Sequence, residues 1–219
     1  RIKGEPISHI IGNRYFWKDQ FHVDRNVLDP RPESELIVEI GKDFLFDRSK
    51  VLDLGAGSGC IGLSLKRENP KINITLSDIS ESAILVMKKN AKMLEMNCNF
   101  VNSYLFKKIK NKFDLIVCNL PYIKTAHLSH LPKDVLLFEP HQALIGGENG
   151  LSLIFDFLEK VSSHLTTKGI FIFEIGIDQI DLIVNKLDDL NYKHYDVFND
   201  TNGISRTVCV QKDTVKRYI

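Results

Sequence analysis

Four residues of chemical interest stand together at Asn119-Leu120-Pro121-Tyr122, directly after the apolar run Phe113-Asp114-Leu115-Ile116-Val117-Cys118. An amide, a proline-stiffened turn and an aromatic ring at the end of a buried strand suit a flat amide or amino group. The side-chain oxygen of Asn119 can accept one N–H of such a group, and a backbone carbonyl of the turn, Leu120 or Pro121, can accept another. The Tyr122 ring can cover the planar face. Upstream, the loop Gly55-Ala56-Gly57-Ser58-Gly59 follows a short apolar stretch, Val51–Leu54. Glycines there let a ligand approach the backbone closely. The pair of features points to transfer of a small group onto nitrogen, with the donor held on the glycine loop.

Two nucleotide-binding patterns overlap in that loop. Gly57-Ser58-Gly59-Cys60-Ile61-Gly62 satisfies the dinucleotide fingerprint, with Asp78 about 20 residues on to take ribose hydroxyls. Asp53-Leu54-Gly55-Ala56-Gly57-Ser58-Gly59 has instead the form D-x-G-x-G-x-G, typical of class I S-adenosylmethionine methyltransferases. The two ligands differ physically. A pyrophosphate needs bare N–H groups at a helix start. S-adenosylmethionine has no phosphate, and its amino-acid part carries an ammonium that Asp53 can stabilise, directly or through water. Asp78, with Ile79 after it, follows the second strand-like run, where a carboxylate can accept both ribose hydroxyls. Ser103 and Tyr104 occupy the adenine-contacting segment, Tyr104 either lying on the purine or serving as an ordinary half-buried tyrosine.

These residues require a scaffold, and the alternation of apolar runs supplies one. Residues 1–29 lack helical period, and Arg14–Trp17 and Gln20–Val23, joined across Lys18-Asp19, predict a hairpin. Asp29-Pro30-Arg31-Pro32 then forces a stiff, extended link. Ser34 can cap a helix from Glu35 to about Phe46. Strands follow at 51–54, 72–76, 98–101, 113–118 and 170–175, with helices at 60–68, 81–96, 150–165 and 177–190, and a loop-rich stretch at 119–149. The strands 192–198 and 205–211, linked by Asn199–Gly203, predict a closing antiparallel hairpin. Two-sided apolar strands alternating with helices predict a mostly parallel α/β sheet covered on both faces. Residues 1–33 form a hairpin subdomain and linker, and 34–219 the main domain.

At 219 residues, with 43% hydrophobic and 26% charged content, the chain can bury one sizeable core. Its apolar runs are strand-sized, so no membrane-spanning helix is expected. Net charge is +1 and the basic residues are dispersed, and the three cations of Lys212–Arg217 read as a solvated terminus, so direct nucleic-acid binding is not expected. Cys60, Cys98, Cys118 and Cys209 show no CxxC spacing, which fits a reducing cytoplasm. His127, His130 and His141 lack an acidic or thiolate partner at a diagnostic spacing, so no metal is expected.

Over nearly its whole length the chain resembles the HemK-type N5-glutamine methyltransferases of peptide chain release factors. The resemblance rests on Gly4-Glu5-Pro6 with Ile11-Gly12, Pro30-Arg31-Pro32-Glu33-Ser34-Glu35, Asp53–Gly59 and Asp78. It extends to Asn90-Ala91, the tetrad with Ile123, and Glu139-Pro140…Ala143-Leu144…Gly146-Gly147…Gly150-Leu151. The tetrad alone is shared with adenine-N6 methyltransferases. The family implies a class I, Rossmann-like, seven-stranded methyltransferase fold. It also implies S-adenosylmethionine as cofactor, a Gly-Gly-Gln glutamine of class I release factors as substrate, and a monomer in the cytoplasm. It casts Asn119, Pro121 and Tyr122 as catalytic, with Leu120, Arg31 and Pro32 joining them around the substrate. It places Asp53, Gly55–Gly59, Asp78, Ile79, Ser103, Tyr104, Asn119 and Glu35 around the cofactor. The family's tetrad is usually Asn-Pro-Pro-Tyr, and Leu120 replaces the first proline; Ser34 stands where threonine is common. A helical N-terminal domain is expected ahead of Arg1. Methylation of a ribosomal-protein glutamine, of adenine N6, or a silent nucleotide-binding module are the alternatives.

Overall fold

The computed structural model describes residues 4–212; the distal cations of the C-terminal tail lie outside the described residues. A short helix α1 (Ile7–Ile11) leads into the hairpin β1 (Asn13–Phe16) and β2 (Asp19–His22), then α2 (Glu35–Gly41). From there strand and helix alternate: β3 (Lys50–Leu54), α3 (Cys60–Glu68), β4 (Asn73–Asp78), α4 (Glu81–Met93), β5 (Asn99–Asn102) and β6 (Phe113–Cys118). After a looped stretch that holds α5 (Lys133–Phe138) come α6 (Ser152–Val161), β7 (Leu165–Glu174), α7 (Ile180–Asp189), β8 (Tyr195–Asn199) and β9 (Ser205–Gln211).

The seven-stranded sheet has the order β5-β4-β3-β6-β7-β9-β8, parallel except for β9, which runs antiparallel to both its neighbours. This is the class I methyltransferase architecture that the strand pattern and the resemblance imply. Strand side chains alternate between two cores, as the period of two demands. Val51, Leu115, Val117, Ile170 and Ile172 face α2, α3 and α4, while Leu52, Ile116, Cys118, Phe171 and Phe173 face α6 and α7. Phe16, Phe21 and Val23 of the hairpin region pack into the first of these cores.

Four local expectations are corrected. Residues 7–11 are helical, a single turn too short to show a period. The hairpin loop is Trp17-Lys18, since Phe16 pairs with Asp19. β7 begins at Leu165, ahead of the purely apolar run, because Leu165 already pairs with Phe113. Ser34 sits at the start of α2 without a capping bond, because its hydroxyl is engaged elsewhere. Strand order reverses between β3 and β6, so their carboxyl ends frame a crevice where open α/β sheets bind ligands.

Candidate active site

A cavity of about 310 Å³ occupies that crevice, at the small end of the usual ligand-pocket range, roughly 300–1,000 Å³. One half is built by consecutive βα turns. β3 delivers Gly55, Ala56, Gly57 and Ser58 to the wall, β4 delivers Asp78 and Ile79, and β5 delivers Ser103, Tyr104 and Leu105. Gly57 has φ +54, and a Cβ there would stand in open space, so the loop offers bare backbone to a ligand. Asp78 is fixed by the same turns: Oδ2 accepts from the Gly57 N–H (2.9 Å) and Oδ1 from the Ser80 N–H (2.9 Å). Burial raises the Asp78 pKa, and the N–H groups of Ser80, Gly57 and Ile79 act against it. Tyr104 is 43% exposed, lines the cavity, and has its hydroxyl 3.4 Å from Asp156.

Asp53 stands apart from the wall. It is fully buried under the glycine loop, Oδ2 accepting from the Gly62 N–H (2.8 Å) and Oδ1 lacking a partner among the described residues. Burial pushes its pKa up to about 7, opposed by that N–H and reinforced by the charge of Asp78. In this position it holds the start of α3 against β3, and any influence on a ligand's ammonium passes through the loop.

The other half is built from distant parts of the chain. Asn119, Leu120 and Pro121 reach the cavity from the end of β6, Pro30, Arg31 and Ser34 from the segment before α2, and Pro140, Gln142, Ala143 and Ile145 from the loop after α5. Asn119 donates through Nδ2 to the Ser34 Oγ (2.8 Å), its one side-chain hydrogen bond among the described residues. Ser34 in turn donates to Oε2 of Glu174 (2.6 Å), while Tyr122 donates to Oε1 (2.9 Å). Tyr122 is therefore tied beneath the tetrad by its hydroxyl and does not line the cavity. Leu120 is 4% exposed, and its side chain lies over Gly55 and joins the core with Leu54 and Leu105.

The stretch behind the tetrad is stapled to it. Ile123 donates to Leu144 and accepts from Gly146 (2.9 Å each), and Gln179 donates to the Tyr122 carbonyl (2.9 Å). A Cβ on Gly146 would come within 2.4 Å of the Gly150 carbonyl oxygen and 2.5 Å of that of Pro121, so only glycine fits. The Pro121 carbonyl thus faces Gly146. Arg31 lines the cavity and also pairs with Glu139, Nη2 lying 2.6 and 2.7 Å from its two oxygens. Burial raises the Glu139 pKa, and Arg31 draws it back. Pro32, at the surface, opens the 3₁₀ turn before α2, and Glu35 accepts the Trp17 N–H (2.8 Å); neither lines the cavity.

Glu174, Gln179 and the pairing role of Glu139 were not evident from residue spacing. The signal for Glu174 is an acid closing the apolar run Ile170–Phe173 at the carboxyl end of a parallel strand.

Open glycine backbone, a fixed carboxylate, an apolar and aromatic patch at Ile79, Tyr104 and Leu105, and a volume suited to a nucleoside with a short tail all fit S-adenosylmethionine. Fold and site together define an S-adenosylmethionine-dependent methyltransferase. The family model described as "Methyltransferase small domain" matches residues 33–148. A release factor glutamine methyltransferase of Koribacter versatilis is 36% identical over 98% of this chain and 77% of its own length. One from Thermodesulfovibrio yellowstonii is 34% identical over 97% and 78%. Among solved structures, a 16S rRNA methyltransferase of T. thermophilus in complex with AdoMet and guanosine superposes with TM-score 0.66 at 16% identity, covering 92% of this chain and 50% of that one. This chain belongs to the release factor glutamine methyltransferase family.

Proposed function

We propose that the protein methylates the side-chain amide nitrogen of the glutamine in the Gly-Gly-Gln motif of class I release factors. The observation that carries this reading is the Asn119 amide, held by its NH₂ on Ser34 so that its oxygen remains for a ligand in the cavity. Bound S-adenosylmethionine supplies an electrophilic methyl group on a cationic sulfur, and Gly55–Ser58, Asp78, Ile79, Ser103 and Tyr104 would hold it. A glutamine amide nitrogen is a poor nucleophile because its lone pair is delocalised into the carbonyl. Asn119 Oδ1 accepts one of its N–H bonds and the Leu120 carbonyl the other, which aims the nitrogen's remaining lobe across the cavity toward the glycine loop. As the nitrogen pyramidalises and gains positive charge, both N–H bonds become more acidic and both acceptors bind them more strongly. That preference for the transition state is where the acceleration arises. The proton leaves afterwards to water, so no side chain need act as a base.

Arg31, Pro140 and Gln142 border the substrate side, where a narrow polypeptide loop would enter. Family membership supports a release factor as that polypeptide. The chain is expected to act in the cytoplasm, as a monomer; no helix among the described residues is long and apolar enough to cross a membrane. The test is a methyl-transfer assay offering release factor, ribosomal protein and adenine-containing nucleic acid in parallel. Labelling of the release factor alone, abolished when its motif glutamine is changed to alanine, is the expected result. Labelling of either competitor in preference would overturn the assignment.

A further inference from the structure

We infer that Glu174 is a positioning residue that sets which end of the Asn119 amide faces the substrate, through the single hydroxyl proton of Ser34. The inference rests on the proposed role of Asn119 as acceptor. Glu174 is 1% exposed at the last position of β7 and, among the described residues, forms no ion pair and has as side-chain donors only the hydroxyls of Ser34 and Tyr122. A buried carboxylate satisfied by two neutral hydroxyls is a costly arrangement that packing alone does not require. Burial raises its pKa, while the two hydroxyls and the positive charge of Arg206 act against that.

The direction of the bonds follows from proton counting. The Ser34 hydroxyl carries one proton and gives it to Glu174, so toward Asn119 it can only accept. Of the two ends of the Asn119 amide, only NH₂ can donate to it. Turning the amide over would set two bare oxygens against each other at 2.8 Å. The carboxylate therefore fixes an oxygen, an acceptor, on the cavity side, as a substrate presenting N–H requires. Tyr122 accepts no freedom either, since its hydroxyl serves the second Glu174 oxygen. Glutamine at 174 would break this logic without changing the shape. Its NH₂ could donate to Ser34, releasing the Ser34 proton toward Asn119 and allowing the amide to turn.

Glu174→Gln is expected to lower kcat on the release factor about ten- to hundredfold, while calorimetric affinity for S-adenosylmethionine stays within about twofold of wild type. Ser34→Ala should fall comparably, Ser34→Thr should recover most of that loss because it keeps the hydroxyl, and the Glu174→Gln/Ser34→Ala double variant should be little worse than either single one. Independently of turnover, the Asn119 side-chain NH₂ resonances, assigned by their loss in Asn119→Ala, should shift in Glu174→Gln. Wild-type turnover in Glu174→Gln with unshifted resonances would overturn the inference, as would equal losses in Ser34→Thr and Ser34→Ala. If Glu174→Gln does not fold, the two Ser34 variants decide. An active Asn119→Ala would instead remove the acceptor role itself, whereas an impaired Asn119→Ala beside an active Glu174→Gln would remove only the relay.

Discussion

The two halves of the cavity are made in opposite ways. On the cofactor side, Gly55–Ser58, Asp78–Ile79 and Ser103–Leu105 lie in the turns that follow β3, β4 and β5, and Asp78 is fixed by the N–H of Ser80, two residues away, and of Gly57 on the adjacent strand's turn. On the substrate side, the bonds join residues far apart in the chain: Ser34 to Asn119, Arg31 to Glu139, Tyr122 to Glu174 and Gln179 to the Tyr122 carbonyl. On the proposed assignment, parallel-sheet geometry thus suffices to place a cofactor, whereas aiming an amide requires cross-bracing from three regions. A defect should accordingly stay local on the first side and spread on the second.

Paired variants give the widest separation. Asn119→Ala should lower turnover roughly 10²–10³-fold if losing its acceptor resembles losing one oxyanion-hole donor, with a much smaller change in cofactor affinity. Asp78→Ala should weaken S-adenosylmethionine binding by about 1.5–3 kcal/mol, the range for hydrogen bonds to a charged group, while turnover at saturating cofactor stays near wild type. Calorimetry and methyl-transfer kinetics on both proteins would measure the split. Loss of cofactor binding in Asn119→Ala equal to that in Asp78→Ala would dissolve the division.

Asp53 gives the cofactor side a pH signature. Its folded pKa, about 7, lies above the unfolded carboxyl value of roughly 3.9, so between those values the native state binds the extra proton. Its contribution to stability is full below the unfolded pKa and is lost as pH rises through the folded one. Raising the pH from 6 to 8 should therefore lower the unfolding free energy through this group, by on the order of 1 kcal/mol. Urea unfolding at both pH values, for wild type and Asp53→Asn, would check it; the variant should show a shallower fall.

Leu120→Pro should produce the smallest effect. Proline would restrict the unfolded chain, a gain of about 0.4–1 kcal/mol at a compatible site, but it would remove the buried leucine packing over Gly55. The carbonyl proposed to accept the substrate N–H remains. Turnover should stay within a few-fold and the melting temperature should move little. A hundredfold gain in turnover would mean that leucine at this position has weakened the turn's grip on the substrate.

The same asymmetry explains what the chain disclosed as a sequence. The glycine loop, Asp78 and the tetrad were legible because each is a local pattern at a strand end, and the strand–helix alternation gave the sheet with its closing hairpin. Ser34 looked like a helix cap because capping is the local use of a serine at that place; its engagement with Glu174 depends on the start of α2 packing against the end of β7, which no spacing encodes. Pro32 and Glu35 share a segment with Arg31, yet only Arg31 reaches the cavity, because the 3₁₀ turn over Pro32–Ser34 directs neighbours to different sides. The glycines at 146, 147 and 150 stood out as a motif, but their reasons became visible only in the fold: backbone approaching backbone behind Pro121 and Tyr122 at 146 and 150, and a left-handed φ against the Ser152 side chain at 147.

The bond between Ser34 and Glu174 spans 140 residues. On a ribosome adding about 5–20 residues per second, that interval is on the order of ten seconds. The glycine loop, its helix and β4 can come together early in that time, whereas the asparagine gains its final bearing only after β7 has emerged and docked beside β6. A nascent chain would thus acquire a place for the cofactor well before it acquires a means of holding the substrate.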